Sequence, residues 1–288
     1  FASSILLNRI SQEVLLQLRE RMFDKVLGWP QSAFESTPSG MLTSKFVNEA
    51  SNALNAAAEV LSTAVRDSLT VLALFLSYSM LNVCDLSTDG CFTLGAAVGA
   101  TVAIAGHPYL AILAAMAAGV LSGFITALLQ TKMGIDSLLA GIIVNTGLYS
   151  INIAVMGGSS LLNMNKTETV FTKARALLQG TVLSEQYKLL VAVIAVAAVV
   201  VFLTLFLRTR LGLAIRATGD NPDMVRSSSI NPAFTTIVGL CVANAFTGLS
   251  GCLLAQSQKS VSIDIGTGMV TIALAIMVSN DLVLPVLL

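Results

Sequence analysis

Two acidic side chains, Asp85 and Asp89, lie in the segment NVCDLSTDGCF, where a long apolar stretch begins. A carboxylate at bilayer depth is costly unless it is hydrated or paired, so each aspartate should have a partner or a purpose. Asp and Ser often cap the amino end of a helix, and both residues could cap the helix that follows. Alternatively, the two carboxylates line the path of a polar solute through the membrane.

Other polar side chains occur in or beside the apolar segments of the chain. They can form hydrogen bonds between helices or contact a solute, and the sequence leaves both interpretations open. These residues are Asn145, Tyr149, Asn152, Asn244 and Gln256. The single histidine, His107, lies in the sequence AGHPY, which favours a surface turn over a ligand site.

Motifs for enzymatic chemistry are missing from the sequence. No GxxxxGK followed by Ser or Thr occurs, and there is no nucleophile elbow or HExxH. The four cysteines form no CxxC pair, so we predict no metal site and no cofactor. The formal net charge of zero argues against a nucleic-acid partner. We therefore expect a transport subunit rather than an enzyme, with any ATP hydrolysed by separate partner subunits.

The composition indicates which elements must position these side chains. Hydrophobic residues make up 55% of the 288 positions and charged residues 11%, whereas soluble domains carry about 25% charged residues. We therefore predict an all-α, polytopic transmembrane helical bundle with about six to seven apolar segments. The candidate spans are 68–82, 90–106, 109–130, 136–156, 188–207, 234–255 and 264–279. The short, glycine-containing segment 90–106 is a candidate for a re-entrant half-helix.

The arginines predict the orientation of the bundle. Loops on the cytoplasmic side carry an excess of Lys and Arg, and the 208–226 loop contains four arginines. This loop is therefore predicted to be cytoplasmic, with the polar 157–187 segment outside. A re-entrant 90–106 segment would then allow 68–82 to start in the cytoplasm as well.

The 208–226 loop also contains a helix start. Gly219, Asp220, Asn221 and Pro222 predict a turn followed by a short polar helix, and a second break follows at Asn231 and Pro232. The segment is either an ordinary connection or a stiff element that transmits a push across the inner face of the bundle.

Three ordered motifs resemble those of ABC importer permeases of the branched-chain amino acid, ribose and nucleoside type, in particular a subgroup for tryptophan- or tyrosine-like amino acids. The similarity runs from about residue 80 onward. The motifs are NVCDLSTDGCFTLGAAV, TKMGIDSLLAGIIVNTGLYSINIAVMGG and RTRLGLAIRATGDNPDMV.

This resemblance implies a multi-pass permease in the bacterial inner membrane that moves a small polar solute, such as an amino acid. It implies ABC ATPase subunits, an extracytoplasmic solute-binding protein, a second permease copy and membrane lipids as partners. The residues implied for ATPase coupling are Gly219, Asp220, Asn221, Pro222 and Met224. Those implied for the substrate pathway are Asp85, Asp89, Phe92 and Asn145.

Residues 9–76 instead resemble the transmembrane region of a lipid-exporter-type ABC protein. There the resemblance implies a coupling turn that contains Pro30, Phe34, Glu35 and Gly40. We therefore expect a chimaera, with an exporter-like part at 1–76 and an importer permease domain, truncated at its carboxyl end, at 77–288. The competing hypotheses are a fragment of an exporter or lipid flippase and a chimaera that transports nothing.

Overall fold

The computed structural model describes residues 68–165, 167–177 and 187–274. In this part of the chain the fold is a helical bundle with one small sheet. The elements, in chain order, are α1 (Ser68–Met80), α2 (Thr88–Ile104), α3 (Pro108–Thr131), α4 (Ser137–Val155), β1 (Leu161–Asn163), α5 (Val170–Leu177), α6 (Tyr187–Leu207), α7 (Arg210–Asp220), α8 (Pro222–Ser227), α9 (Pro232–Gln258), β2 (Ser260–Ser262) and α10, described from 269 to 274.

The helices begin where the sequence supplies caps. Asp136 accepts a hydrogen bond from the backbone N–H of Leu138 at the start of α4, and Asn231 accepts one from Ala233 at the start of α9. The helices α3, α8 and α9 each begin with a proline, which is tolerated there because the first N–H groups of a helix have no intrahelical acceptor. The predicted bundle is confirmed, and each predicted apolar segment overlaps a described helix.

The helix α9 is the centre of the bundle. In its most apolar window 78% of the residues are buried, against 17% for α6, so α9 is a core helix and α6 is largely lipid-facing. It packs in parallel against α2 and antiparallel against α3 through glycines. A Cβ atom on Gly95 would clash with the backbone of Gly248, and one on Gly119 would clash with the carbonyl of Asn244. The small residues therefore allow direct backbone contact between these helices.

The outward faces of the bundle are apolar. Large hydrophobic side chains are exposed on α3, α4 and α6, as expected for surfaces solvated by lipid. Examples are Leu113, Leu121, Ile142, Ile143, Ile194, Val201 and Leu205. Among the described residues, four helices, namely α3, α4, α6 and α9, are long and apolar enough to cross a membrane. The chain is therefore a multi-pass membrane protein.

Two short strands, which the sequence did not predict, close one end of the bundle. The strands β1 and β2 pair antiparallel, with Leu162 opposite Val261. The helix α5 is attached beside them because Gln256 of α9 accepts a hydrogen bond from the Val170 N–H at 2.9 Å. We call this the sheet end, and we call the opposite end, where α7 and α8 lie, the α7 end.

The direction of α1 corrects one expectation from the sequence. The Thr70 hydroxyl donates to Ser250 Oγ at 3.0 Å, while Gly219 of α7 packs against the Met80 carbonyl. The helix α1 therefore runs antiparallel to α9, from the sheet end toward the α7 end. The expectation that 68–82 starts on the same side as the 208–226 loop is wrong. The physical reason is that α1 ends at the α7 end. The segment 81–87 then returns to the middle of the bundle, and α2 runs from there to the sheet end.

The close approach of α2 and α9 generates a prediction for Gly95. Replacing Gly95 with alanine should lower the thermal stability of the detergent-solubilised protein, by a free energy of about 1–3 kcal/mol, because the new methyl group meets backbone atoms that cannot move aside. The matched control is Gly147→Ala on the exposed face of α4, where a Cβ atom has no neighbour within 4 Å. Equal melting temperatures for the two variants would contradict backbone contact between α2 and α9.

Candidate functional site

A seven-residue interruption separates α1 from α2 inside the bundle, and we call residues 81–87 the break. Its backbone has no regular structure, and Asn82 adopts a left-handed conformation with φ 54°. The last turns of α1 form a π-helix over Phe75–Met80, and the Val83 N–H bonds to the Ser77 carbonyl at 3.0 Å. Irregular backbone at membrane depth requires protein groups to satisfy its hydrogen bonds. The side chains of the break supply several of them.

Asp85 organises the break. It is 1% exposed, and its Oδ1 accepts hydrogen bonds from the Ser87 N–H at 2.9 Å and from the Ser87 hydroxyl. The Thr88 hydroxyl donates to the Asp85 carbonyl at 2.9 Å. These bonds stabilise the turn that starts α2, and the negative charge lies beside the positive end of that helix. Ser87 is the N-cap of α2, so Asp85 orders the turn before the helix and does not cap the helix itself, contrary to the capping interpretation.

The second carboxylate oxygen of Asp85 connects the break to the central helix. The Asn244 amide donates to Oδ2 at 2.8 Å from the middle of α9. The Thr126 hydroxyl of α3 donates to Ser87 Oγ at 3.2 Å. We call Asp85, Ser87, Thr126 and Asn244 the latch, because these four side chains join the break to two other helices.

The latch contains a buried carboxylate that is held by hydrogen bonds. Across the described ranges the one ion pair is Lys173 with Glu168, so Asp85 has no cationic partner there. The Asn244 Oδ1 atom is buried without a hydrogen-bond partner in the same part of the chain. An unsatisfied buried polar atom costs about 1–3 kcal/mol. The hydrogen bonds of the latch therefore leave one buried polar atom unsatisfied, which lowers the stability of this arrangement.

Asp89, four residues after Asp85, caps the helix α10. Its Oδ2 accepts from the Gly268 N–H at 3.0 Å, and its Oδ1 accepts from the Val270 N–H at 2.9 Å. These N–H groups lie at the amino end of α10, which has free donors and a partial positive charge. Asp89 therefore fixes the start of α10 against the start of α2. The two non-helical segments, 81–87 and 263–268, thus lie close to the same point of the bundle.

The other predicted pathway residues occupy different environments. Asn145 is half-buried on α4, with its Oδ1 atom close to Gly90, where an added Cβ would lie 2.6 Å away. Phe92 has no exposed surface, and its carbonyl packs against Gly251 of α9. The structure thus brings Asp85, Asp89 and Asn145 together around the start of α2 and buries Phe92 in the core. Their roles in a substrate pathway stay predictions.

The structure also shows the partners of the remaining polar residues. Asn152 donates to the Gly90 carbonyl at 3.2 Å, and Gln256 bridges Val170 and the Pro108 carbonyl, so both link helices or neighbouring segments. Tyr149 and His107 are exposed. The sequence marks Asn244 as an amide inside an otherwise apolar span. It does not indicate Asp85 as the partner, because 159 residues separate the two.

The predicted coupling residues form the corner between α7 and α8. Asn221 caps α8 by accepting hydrogen bonds from the Asp223 and Met224 N–H groups at 3.1 and 3.0 Å. Asp220 and Pro222 are exposed, and the Met224 side chain is 67% exposed. Gly219 instead faces inward against the Met80 carbonyl. The corner therefore presents an exposed surface on one side and contacts the end of α1 on the other.

The buried face of α7 packs directly on the break. Leu81 packs with Ile215 of α7, Ala127 of α3 and Leu240 of α9 in one apolar cluster. The hydroxyls of Thr218 and Thr235 form a buried hydrogen bond of 2.7 Å between α7 and α9. The helix α7 therefore lies between α8 and Leu81, four residues before Asp85. The exporter-like turn with Pro30, Phe34, Glu35 and Gly40 lies outside the described residues.

Comparison with known proteins identifies two families along the chain. The family of the branched-chain amino acid transport system permease component matches residues 56–279, and the ABC transporter transmembrane region matches residues 1–84. An ATP-dependent lipid A-core flippase of Cupriavidus metallidurans is 41% identical over 76 residues, which are 26% of this chain and 13% of the flippase. The chain thus spans about an eighth of that relative, and the expected chimaeric resemblance is confirmed.

The larger part of the chain is similar to permeases. A tyrosine transport system permease protein of Clostridioides difficile is 33% identical over 209 residues, covering 72% of this chain and 67% of the relative. A nucleoside ABC transporter permease protein of Lactococcus lactis is 28% identical over 171 residues, covering 54% and 47%. No solved structure matches the chain. With 56–279 matched, this chain belongs to the branched-chain amino acid transport system permease component family.

Proposed function

We propose that the chain is the membrane-spanning permease of an ATP-driven importer for a small polar solute of the amino-acid class. Membership of the permease family and the likeness to a tyrosine permease support this proposal. The observation that carries it is the contact of an exposed cytoplasmic-type corner, α7 to α8, with a break in the membrane that contains a buried carboxylate. Such a link is what an ATP-driven gate requires.

In this mechanism the ATPase subunits dock on the corner formed by Asp220, Asn221, Pro222 and Met224. Movement of the corner displaces α7, and Ile215 and Gly219 then displace Leu81 and Met80 because they are in direct contact. The break carries Asp85 away from Asn244, and the latch opens. A hydrogen bond to a charged group contributes about 1.5–3 kcal/mol, so modest differential binding of the partner is sufficient to shift this equilibrium.

The remaining partners follow from the same proposal. A second permease copy would complete the transport path, an extracytoplasmic binding protein would deliver the solute, and the inner membrane would be the location. Asp89 and Asn145 lie at the start of α2, which follows directly on Ser87 of the latch, and would contact the solute once the break has moved. We also propose the division into 1–76 and 77–288, and the overlap of the two family matches at 56–84 is compatible with a junction there.

The flippase likeness of residues 1–84 favours a second candidate function. If the chain acts as an exporter fragment, replacing Phe34 and Glu35 should uncouple ATP hydrolysis, and the corner at 219–224 should be dispensable. Under the importer proposal, the corner at 219–224 is required and Phe34 and Glu35 are dispensable. A chain that cannot be isolated as a monodisperse particle in mild detergent would instead support a chimaera without transport activity.

The exposed side of the corner generates a prediction for Met224. Replacing Met224 with aspartate should reduce permease-stimulated ATPase activity to about the basal level, because a charge replaces an apolar side chain at the centre of a docking surface. The measurement is ATP hydrolysis by cognate ATPase subunits with and without the reconstituted permease. Asp264→Asn, an exposed change at the sheet end, is the control. Full stimulation by the Met224 variant would refute the assignment of the docking surface.

The latch generates a prediction for Asn244. Replacing Asn244 with leucine leaves the Asp85 carboxylate without its partner on α9, so the break should open without ATP and basal ATPase activity should rise relative to the stimulated rate. The matched control is Asn152→Leu, which also removes a buried amide but leaves the latch intact. Adding Asp85→Asn to the Asn244 variant should restore part of the coupling, since an unpaired amide is less costly than an unpaired carboxylate. Similar uncoupling by the Asn152 control, or no recovery in the double variant, would contradict the latch mechanism.

A further inference from the structure

A groove at the α7 end lies between α1, α6 and α7. Its volume is about 550 Å³. Leu72 and Phe75 of α1 and Leu203 and Leu207 of α6 form an apolar wall, and Arg208 and Arg216 line the same groove. An apolar groove that also carries two cations is complementary to an amphipathic ligand with an anionic headgroup.

The two arginines are available for such a ligand. Both side chains are exposed, and within the ranges that the structure describes neither forms a salt bridge or a side-chain hydrogen bond. Guanidinium groups bind phosphate oxygens in a bidentate manner and are weakly hydrated. Two like charges that line one groove repel each other, and a phosphate bound between them would reduce this repulsion.

The location of the groove selects among anionic ligands. Its apolar wall is continuous with the outer surface of α6, whose most apolar window is 17% buried and therefore faces lipid. Arg208 directly follows the end of α6, where a spanning helix leaves the hydrocarbon region, and Arg216 lies in α7. Basic pockets between membrane helices bind anionic headgroups. A soluble anion would use the arginines but would leave the apolar wall of Leu72, Phe75 and Leu203 unused.

We infer that this groove is a binding site for one anionic phospholipid, with its phosphate on Arg208 and Arg216 and an acyl chain along α1 and α6. The bound lipid would join α1, α6 and α7, and would thereby stabilise the position of α7 against the break. The site is independent of the solute, and it requires only that the chain spans a membrane.

The test is lipid binding by the full-length chain. The purified protein in detergent is titrated with phosphatidylglycerol or phosphatidylcholine, and bound lipid is counted by native mass spectrometry. We expect one tightly bound phosphatidylglycerol and a higher melting temperature than with phosphatidylcholine. The variant Arg208→Gln/Arg216→Gln should bind phosphatidylglycerol about tenfold more weakly, which corresponds to about 1.4 kcal/mol.

The matched control is Arg210→Gln, which removes a neighbouring exposed arginine that does not line the groove. It should retain the wild-type affinity, and the melting temperature of each variant in phosphatidylcholine shows that it is folded. Equal binding of the two lipids, equal loss in the control, or unchanged binding by the double variant would overturn the proposal. Competition by inorganic phosphate at the same concentration would also overturn it, because the site would then recognise a free anion. If the apolar wall is instead covered by residues 1–67 of the chain, wild-type protein will bind no phosphatidylglycerol, and the proposal fails.

Discussion

The hydrogen bond between Asp85 and Asn244 is the contact on which the arrangement of the bundle depends. A membrane interior offers no water to an interrupted helix, so the break at 81–87 survives only where protein groups satisfy it. Asp85 does this with one oxygen for the turn before α2 and with the other for the central helix α9. The same carboxylate therefore stabilises the turn before α2 and fixes the position of the break within the bundle.

The packing of α2, α3 and α9 makes this contact possible. Asp85 reaches Asn244 because glycines bring the helices to backbone distance around it, with Gly119 of α3 against the Asn244 carbonyl. The side chains of Asp85 and Asn244 are short and could not form this hydrogen bond if the break lay farther from α9. The α7 end adds the second constraint, since Ile215 and Gly219 rest on Leu81 and Met80. Hydrogen bonds to Asn244 therefore fix the break at the middle of α9, and apolar contacts with α7 fix it at the α7 end.

The sequence predicted most of the fold because membrane helices have a strong hydrophobic signal, and the break at Asn231 and Pro232 marked the start of α9. It did not predict β1 and β2, because each strand has three residues and its partner lies about 100 residues away in the chain. It also missed α7 as a helix, because Arg210–Asp220 is amphipathic and reads as a polar loop. The direction of α1 could not be predicted, since Thr70 and Ser250 meet only in the folded bundle.

The site was predictable in its parts but not as a unit. Asp85 and Asp89 were identified as carboxylates that need partners, and both have them. No pattern in the sequence indicated that Asp89 would cap α10 rather than α2, because its partners lie about 180 residues away. Gly219 was expected on the docking surface from its place in the motif, whereas the structure packs it against Met80. A motif gives residue types at a spacing, and only the packing decides which side of a corner each residue faces.

The measurement that tests the central claim most directly is a pair of spin-label distances in the reconstituted permease–ATPase complex. Labels are placed on exposed Asn82 and Arg210 for one distance and on Asn82 and Gln258 for the other, in a chain whose four native cysteines are replaced by alanine. If α7 and the break move as one unit when ATP is trapped, the distance between 82 and 210 stays constant and that between 82 and 258 changes. A constant distance between 82 and 258 with a changed distance between 82 and 210 would contradict coupling of the latch to the corner.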